Sequence, residues 1–198
     1  MRSSYRHCSV RQQGANSMMP LRELLSATDV QQRIEELACQ IAADFADRCP
    51  VVIGILNGAA PFMMNLLSLM PSTLAEHLEY DFVDATSYSG SESTGRVQLS
   101  RELSVDIRGR SVLIVDGIVD TGCTLDAVLT ALRREEPTEI HTCTLLDKAA
   151  RRRFDVPVDY SGFAIDDLFV VGYGMDLDGR FRGLRHIAVV EPTRKDLE

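Results

Sequence analysis

The stretch Ser111-Val-Leu-Ile-Val-Asp-Gly-Ile-Val-Asp-Thr-Gly-Cys-Thr-Leu125 decides how this chain is read. Residues 111–115 are mostly apolar and β-branched, the pattern of a strand buried in a parallel sheet. An acid, Asp116, closes that run, and a second acid opens Asp120-Thr-Gly-Cys-Thr124. Leu125, Val128, Leu129 and Leu132 then repeat at helical spacing and predict a helix over about 123–135. A short polar loop between a strand end and a helix start is where open α/β sheets bind ligands. Helix N-terminal amides lack partners and carry partial positive charge, which suits a phosphate. Thr121 and Thr124 add hydroxyl donors, Gly122 lets backbone come close, and the two acids suit sugar hydroxyls or a metal.

Three readings of the loop compete. It is a plain capped turn with Asp120 or Thr121 as N-cap. It is an aspartic-protease D-T-G, whose chemistry needs two carboxylates sharing a proton and so a second copy of this single motif. Or it is a sugar-phosphate cradle. A Walker A loop is excluded, because no G-K-[ST] follows the glycine.

Working outward, β and helical patterns alternate. A polar segment over 1–19 precedes residues 20–26, which read as a short packed segment; 1–19 reads as a disordered extension, and Met18 and Met19 offer a later translation start. Asp29 is placed as the cap of a helix to about Asp47, with Ile34, Leu37, Ala38, Ile41, Ala42 and Phe45 inward. Strands are expected at 51–56, 78–86, 97–103, 111–116, 140–146, 160–163, 169–172 and 187–190, and a second helix at 59–70. Residues 87–96, rich in Ser and Gly, form a loop that suits a lid. Strands alternating with helices indicate a mainly parallel sheet, hence the α/β class.

The 198 residues fit one domain, 20–198, with a real core. With 21 Lys and Arg against 29 Asp and Glu, the formal net charge of -8 gives no general attraction to nucleic acid or to an anionic membrane. No apolar run approaches a membrane span, and the first residues have no apolar core of a secretory signal. The five cysteines, an odd number without C-x-x-C spacing, read as reduced thiols of a cytoplasmic protein.

Residues 112–125 resemble the phosphoribosyl-diphosphate (PRPP) signature of type I phosphoribosyltransferases: four apolar residues, two acids, two apolar residues, then D-[ST]-G-x-T. Gly54-Ile-Leu-Asn-Gly58, Ser87-Tyr88, Leu145-Leu-Asp-Lys148, Val158-Asp-Tyr-Ser-Gly-Phe163, Phe169-Val-Val-Gly-Tyr-Gly-Met-Asp176 and Phe181-Arg182 follow the order and spacing of its hypoxanthine-guanine group. The resemblance covers roughly residues 20 to 191. It implies the type I phosphoribosyltransferase fold, a mainly parallel central sheet flanked by helices with a small hood built from the terminal segments.

The activity implied is transfer of the phosphoribosyl group from PRPP to hypoxanthine or guanine, with Mg²⁺, in a homodimer or homotetramer. The resemblance assigns Asp120 as general base beside the purine. Asp116, Gly117, Asp120, Thr121, Gly122, Cys123 and Thr124 would hold ribose and 5′-phosphate. Lys148 would donate to the 6-oxo group, Phe169 would stack on the base, Val170 would read its edge by backbone, and Asp176 would lie on its N2 side. Leu56, Asn57, Gly58 and Arg182 would take pyrophosphate, the first two across a cis peptide. Ser87 and Tyr88 would begin the lid, and Asp116 and Asp176 would serve the metal.

The chain departs from the pattern twice: Gly117 stands where a second acid is usual, and Asn57 where lysine is common. A lost carboxylate–hydroxyl bond of roughly 1.5–3 kcal/mol would weaken PRPP about ten- to a hundredfold. On that view an acid restored at 117 would lower the PRPP KM. The same departures also admit a regulatory protein that binds PRPP or nucleotide with weakened catalysis.

Overall fold

The computed structural model describes residues 20–87, 97–99 and 103–191. Residues 1–19, placed as an extension, and Tyr88, placed in the lid, lie outside the described residues. In chain order the elements are β1 Leu21–Leu25, α1 Ala27–Asp44, β2 Val51–Leu56, α2 Ala60–Ser68, the short α3 Ser72–Ala75, β3 Glu79–Ser87 and β4 Val97–Leu99. There follow β5 Ser111–Val119, α4 Cys123–Arg133, β6 Glu139–Asp147, a 3₁₀ turn Ala149–Arg151, β7 Tyr160–Ala164, β8 Val170–Val171 and β9 Ile187–Val190.

The main sheet runs β4-β3-β2-β5-β6-β7, parallel throughout except for the edge strand β4. Alternation along the central strands sends side chains to two apolar layers. Val51, Ile53, Val112 and Ile114 meet Leu125, Val128, Leu129 and Leu132 of α4 on one face. Val52, Leu113, Val115 and Leu145 meet α1 and α2 on the other. Both faces are therefore covered, as the uninterrupted apolar runs require. Across one end lies the antiparallel sheet β1-β9-β8, which joins the first described residues to the last: the expected hood.

Helix α1 starts earlier than its pattern indicated. Ser26 is the N-cap, its hydroxyl accepting from Asp29 N, while the Asp29 carboxylate accepts from Ser26 N. Asp29 is thus the third helical residue of a capping box and not the cap itself. Strand β5 runs three residues past its expected end, because pairing with β6 continues through Ile118↔Leu146 and Val119↔Asp147. The acid at 116 suggested a stop; the ladder beside it overrides that signal. Of the expected 97–103 strand, Val97–Leu99 pairs with Ala85–Ser87, and residues 100–102 lie outside the described residues.

Candidate active site

The C-terminal ends of β2, β5 and β6 gather most of the expected residues. Extension of β5 reduces the loop before α4 to three residues, Asp120 to Gly122. Gly122, not Asp120 or Thr121, is the N-cap of α4, with φ +85 and no side-chain cap. A long bond runs from Cys123 N to Thr121 Oγ1 at 3.4 Å. The capped-turn reading of Asp120 therefore fails: its carboxylate faces Lys148 and Arg151, and the acid in the first turn of α4 is Asp126.

Asp120 meets two cations. Lys148 Nζ lies 3.3 Å from Oδ2. Arg151 Nε lies 2.8 Å from Oδ1, close enough to pair but off the line of a hydrogen bond. Lys148 directly follows β6 with a side chain only 7% exposed, so it is not the solvated lysine that a strand end usually carries. Its amide donates to Val119 O, which ties the two strand ends together.

The backbone freedom at Gly122 serves the packing around it. A Cβ there would approach Val156 Cγ2, Arg152 Cδ and Phe154 O at 3.0–3.1 Å. The amides of Arg153 and Phe154 both donate to Thr121 O. Arg152 donates through Nη1 to Asp120 O at 3.1 Å and pairs through Nη2 with the Asp147 carboxylate, both side chains being 17% exposed. The connection after Lys148 is thus a brace beneath the loop. The sequence pattern assigns no role to Arg151, Arg152 or Asp147. The available signal was an arginine pair three and four residues after a motif lysine.

Asp116 sits deeper, in a recess that leaves part of it open. Loss of solvent pushes its carboxyl up to about 7, against partial relief from the amides of Gly117 and Ile118. At neutral pH it is therefore poised between acid and carboxylate. Gly117 is buried beside the loop after β2. That loop, Leu56-Asn57-Gly58, carries a cis Leu56–Asn57 peptide, and Asn57 is exposed.

On the hood side, Phe169 is 55% exposed, so it is not a core residue, and a flat apolar face stands open. Val170, beside it in β8, is buried and pairs with Val189. Arg151 Nη1 reaches Asp167 at 2.8 Å and Ile165 N donates to Asp147 O, so the segment leading to Phe169 is fastened next to Lys148. Asp176 and Arg182, expected as separate contacts, are paired at 2.7 Å, and Arg182 Nη1 also donates to Gly174 O at 2.5 Å. Ser87 ends β3 opposite Val97, at the base of the proposed lid.

Among the described residues no cluster of three or more acidic, His or Cys side chains could cage a metal, and no helix is long and apolar enough to cross a membrane. Cys39, Cys49, Cys123 and Cys143 form no disulfide.

Comparison with known proteins gives the same answer as the geometry. The family model described as the phosphoribosyl transferase domain matches residues 21–178. The hypoxanthine-guanine phosphoribosyltransferase of Bacillus subtilis is 37% identical over 86% of this chain and 93% of its own. The hypoxanthine-guanine-xanthine phosphoribosyltransferase of Tritrichomonas foetus is 38% identical over 87% and 92%. A crystal structure of a hypoxanthine-guanine phosphoribosyltransferase from Bacillus anthracis superposes with a TM-score of 0.80 at 37% identity, covering 86% of this chain and 98% of that one. With strand order, loop and sequence in agreement, the chain belongs to the phosphoribosyltransferase family, in its hypoxanthine-guanine branch.

Proposed function

We propose that this protein transfers the 5-phosphoribosyl group from PRPP to hypoxanthine or guanine, releasing pyrophosphate and the nucleoside 5′-monophosphate, as a step of purine salvage in the cytoplasm. The observation that carries the reading is the pairing of Asp120, on the loop at the α4 N-terminus, with the buried Lys148 at 3.3 Å. One site thus combines an anion cradle, a carboxylate base and a buried donor.

The chemistry follows from those groups. The bond from C1′ to the pyrophosphate oxygen breaks, leaving an electron-poor sugar carbon that a purine ring nitrogen attacks. The amides and hydroxyls of 121–124 hold the 5′-phosphate. Asp120 accepts the proton that the purine gives up. Lys148 donates to the 6-oxo oxygen, which disfavours adenine, whose amino group offers no acceptor there. Phe169 stacks on the base, and its open face supports that role. Asp116 binds the ribose diol; Asn57, Gly58 and Arg182 receive pyrophosphate, for which Arg182 has to part from Asp176.

Mg²⁺ fits this donor set. It takes one or two carboxylates and completes its shell with water and substrate phosphates, so the single carboxylates Asp116 and Asp176 suffice without a protein cage. The ion would neutralise charge on the departing pyrophosphate. Assembly as a homodimer or homotetramer rests on the family resemblance, and light scattering decides it.

The test is direct. Protein, Mg²⁺, PRPP and hypoxanthine are mixed and IMP is followed in the ultraviolet, with guanine, xanthine and adenine in parallel. Turnover of 6-oxopurines but not adenine is expected. PRPP binding without turnover of any base would refute the enzymatic reading.

A further inference from the structure

One departure from the signature, Gly117, packs against the carbonyl of Gly58, the residue that follows the other, Asn57. A Cβ on Gly117 would stand 2.8 Å from Gly58 O, 3.0 Å from the Gly58 carbonyl carbon and 3.4 Å from Met175 Sδ. A Cβ on Gly174, at φ +99, would stand 2.0 Å from the same oxygen. The carbonyl of Gly58 is therefore lodged between two residues without side chains, one in β5 and one on the hood loop that bears Asp176 and Arg182.

None of the three walls yields easily. Gly117 is flanked by the β5–β6 pairs Asp116↔Thr144 and Ile118↔Leu146. The loop is tied to β2 and α2 by Ala59 N to Ile55 O at 3.1 Å and Met63 N to Ala59 O at 2.8 Å. Gly174 is held by its amide bond to Arg182 O at 2.9 Å. The atoms that a new Cβ would strike are backbone, which cannot swing aside as a side chain can.

We propose that Gly117 is a positioning residue: by having no side chain it lets the pyrophosphate loop, Leu56 to Gly58, seat against β5 and against the hood loop. This rests on the assignment of that loop made under Proposed function. The absence of an acid at 117 is then the condition for the seat, and Gly117→Asp brings back a carboxylate only by displacing the loop. Its effect on PRPP has the opposite sign to that expected from simple restoration of a ribose contact.

The experiment compares wild type, Gly117→Ala and Gly117→Asp by steady-state kinetics with Mg-PRPP and hypoxanthine, pyrophosphate inhibition and thermal melting. The methyl group alone is expected to raise both the PRPP KM and the pyrophosphate Ki about tenfold. Asp does at least as much, while the hypoxanthine KM stays within about twofold and the melting temperature within a few degrees. A PRPP KM in Gly117→Ala equal to wild type overturns the proposal. So does a lowered PRPP KM in Gly117→Asp, or a loss spread equally over every constant together with a collapsed melt. Should wild type fail to turn over any purine, the enzymatic reading is what fails; calorimetry of Mg-PRPP on the same three proteins then tests the seat, with tenfold weaker binding to Gly117→Ala expected and equal binding overturning it.

Discussion

Removing Arg152 tests the brace beneath the loop that precedes α4. Its guanidinium donates to Asp120 O at 3.1 Å and pairs with the Asp147 carboxylate, both side chains being 17% exposed. Breaking a fully buried pair by deleting one partner costs about 3–5 kcal/mol, because a charge is left uncompensated. The remaining exposure lets water reach Asp147 and reduces that to about 2 kcal/mol, while the lost bond to Asp120 O adds about 1 kcal/mol. Arg152→Met is therefore expected to lose about 3 kcal/mol, a large share of the roughly 5–15 kcal/mol that holds a typical domain folded. The double variant Arg152→Met/Asp147→Asn should recover most of the first term, since no buried charge remains. Urea unfolding gives both values, and PRPP KM reports on the loop, which should loosen in single and double variants alike. A single variant within about 0.5 kcal/mol of wild type, or a double variant no better than the single, would refute the reasoning.

Three further outcomes are expected. Because the ordinary Asp carboxyl ionises near 3.8 and burial holds Asp116 up at about 7, the folded protein keeps a proton that the unfolded chain has lost. Stability contributed by this group falls as pH rises from about 4 to 7, so Asp116→Asn should gain on wild type by at most about 4 kcal/mol at pH 8 and by nothing at pH 4; parallel stability–pH curves would contradict this. Phe169→Ala should leave the melting temperature nearly unchanged, since the ring is 55% exposed, yet raise the purine KM by about five- to a hundredfold at constant PRPP KM. If stability drops instead, the ring is core. Asp120→Asn should lower kcat by about 10²-fold or more with folding largely intact, the amide still facing Lys148; wild-type turnover would remove Asp120 from the mechanism.

Much of this was legible in residue order. The apolar run of β5 and the helical spacing after Gly122 fixed a strand–loop–helix unit, and the segment around Lys148 fell at the end of the next strand. The boundaries differ where tertiary pairing outweighs local signal: β5 extends beyond Asp116 because β6 lies beside it, and α1 begins at Ala27, capped by a serine whose partner acid reads in sequence as the cap. Phe169 illustrates a different limit. Taken alone an aromatic residue reads as core, and only its place at the end of β7's connection leaves its ring open.

The sequence by itself determined the class and the chemistry, since hydrophobic period and the types of polar residue at strand ends are properties of neighbouring positions. What the tertiary structure decided were the contacts between residues far apart in the chain: Arg152 under Asp120, the cations on the Asp120 carboxylate, and Gly58 lodged between Gly117 and Gly174. Spacing along the chain cannot encode these, because they depend on how closely two backbones approach once both faces of the sheet are packed.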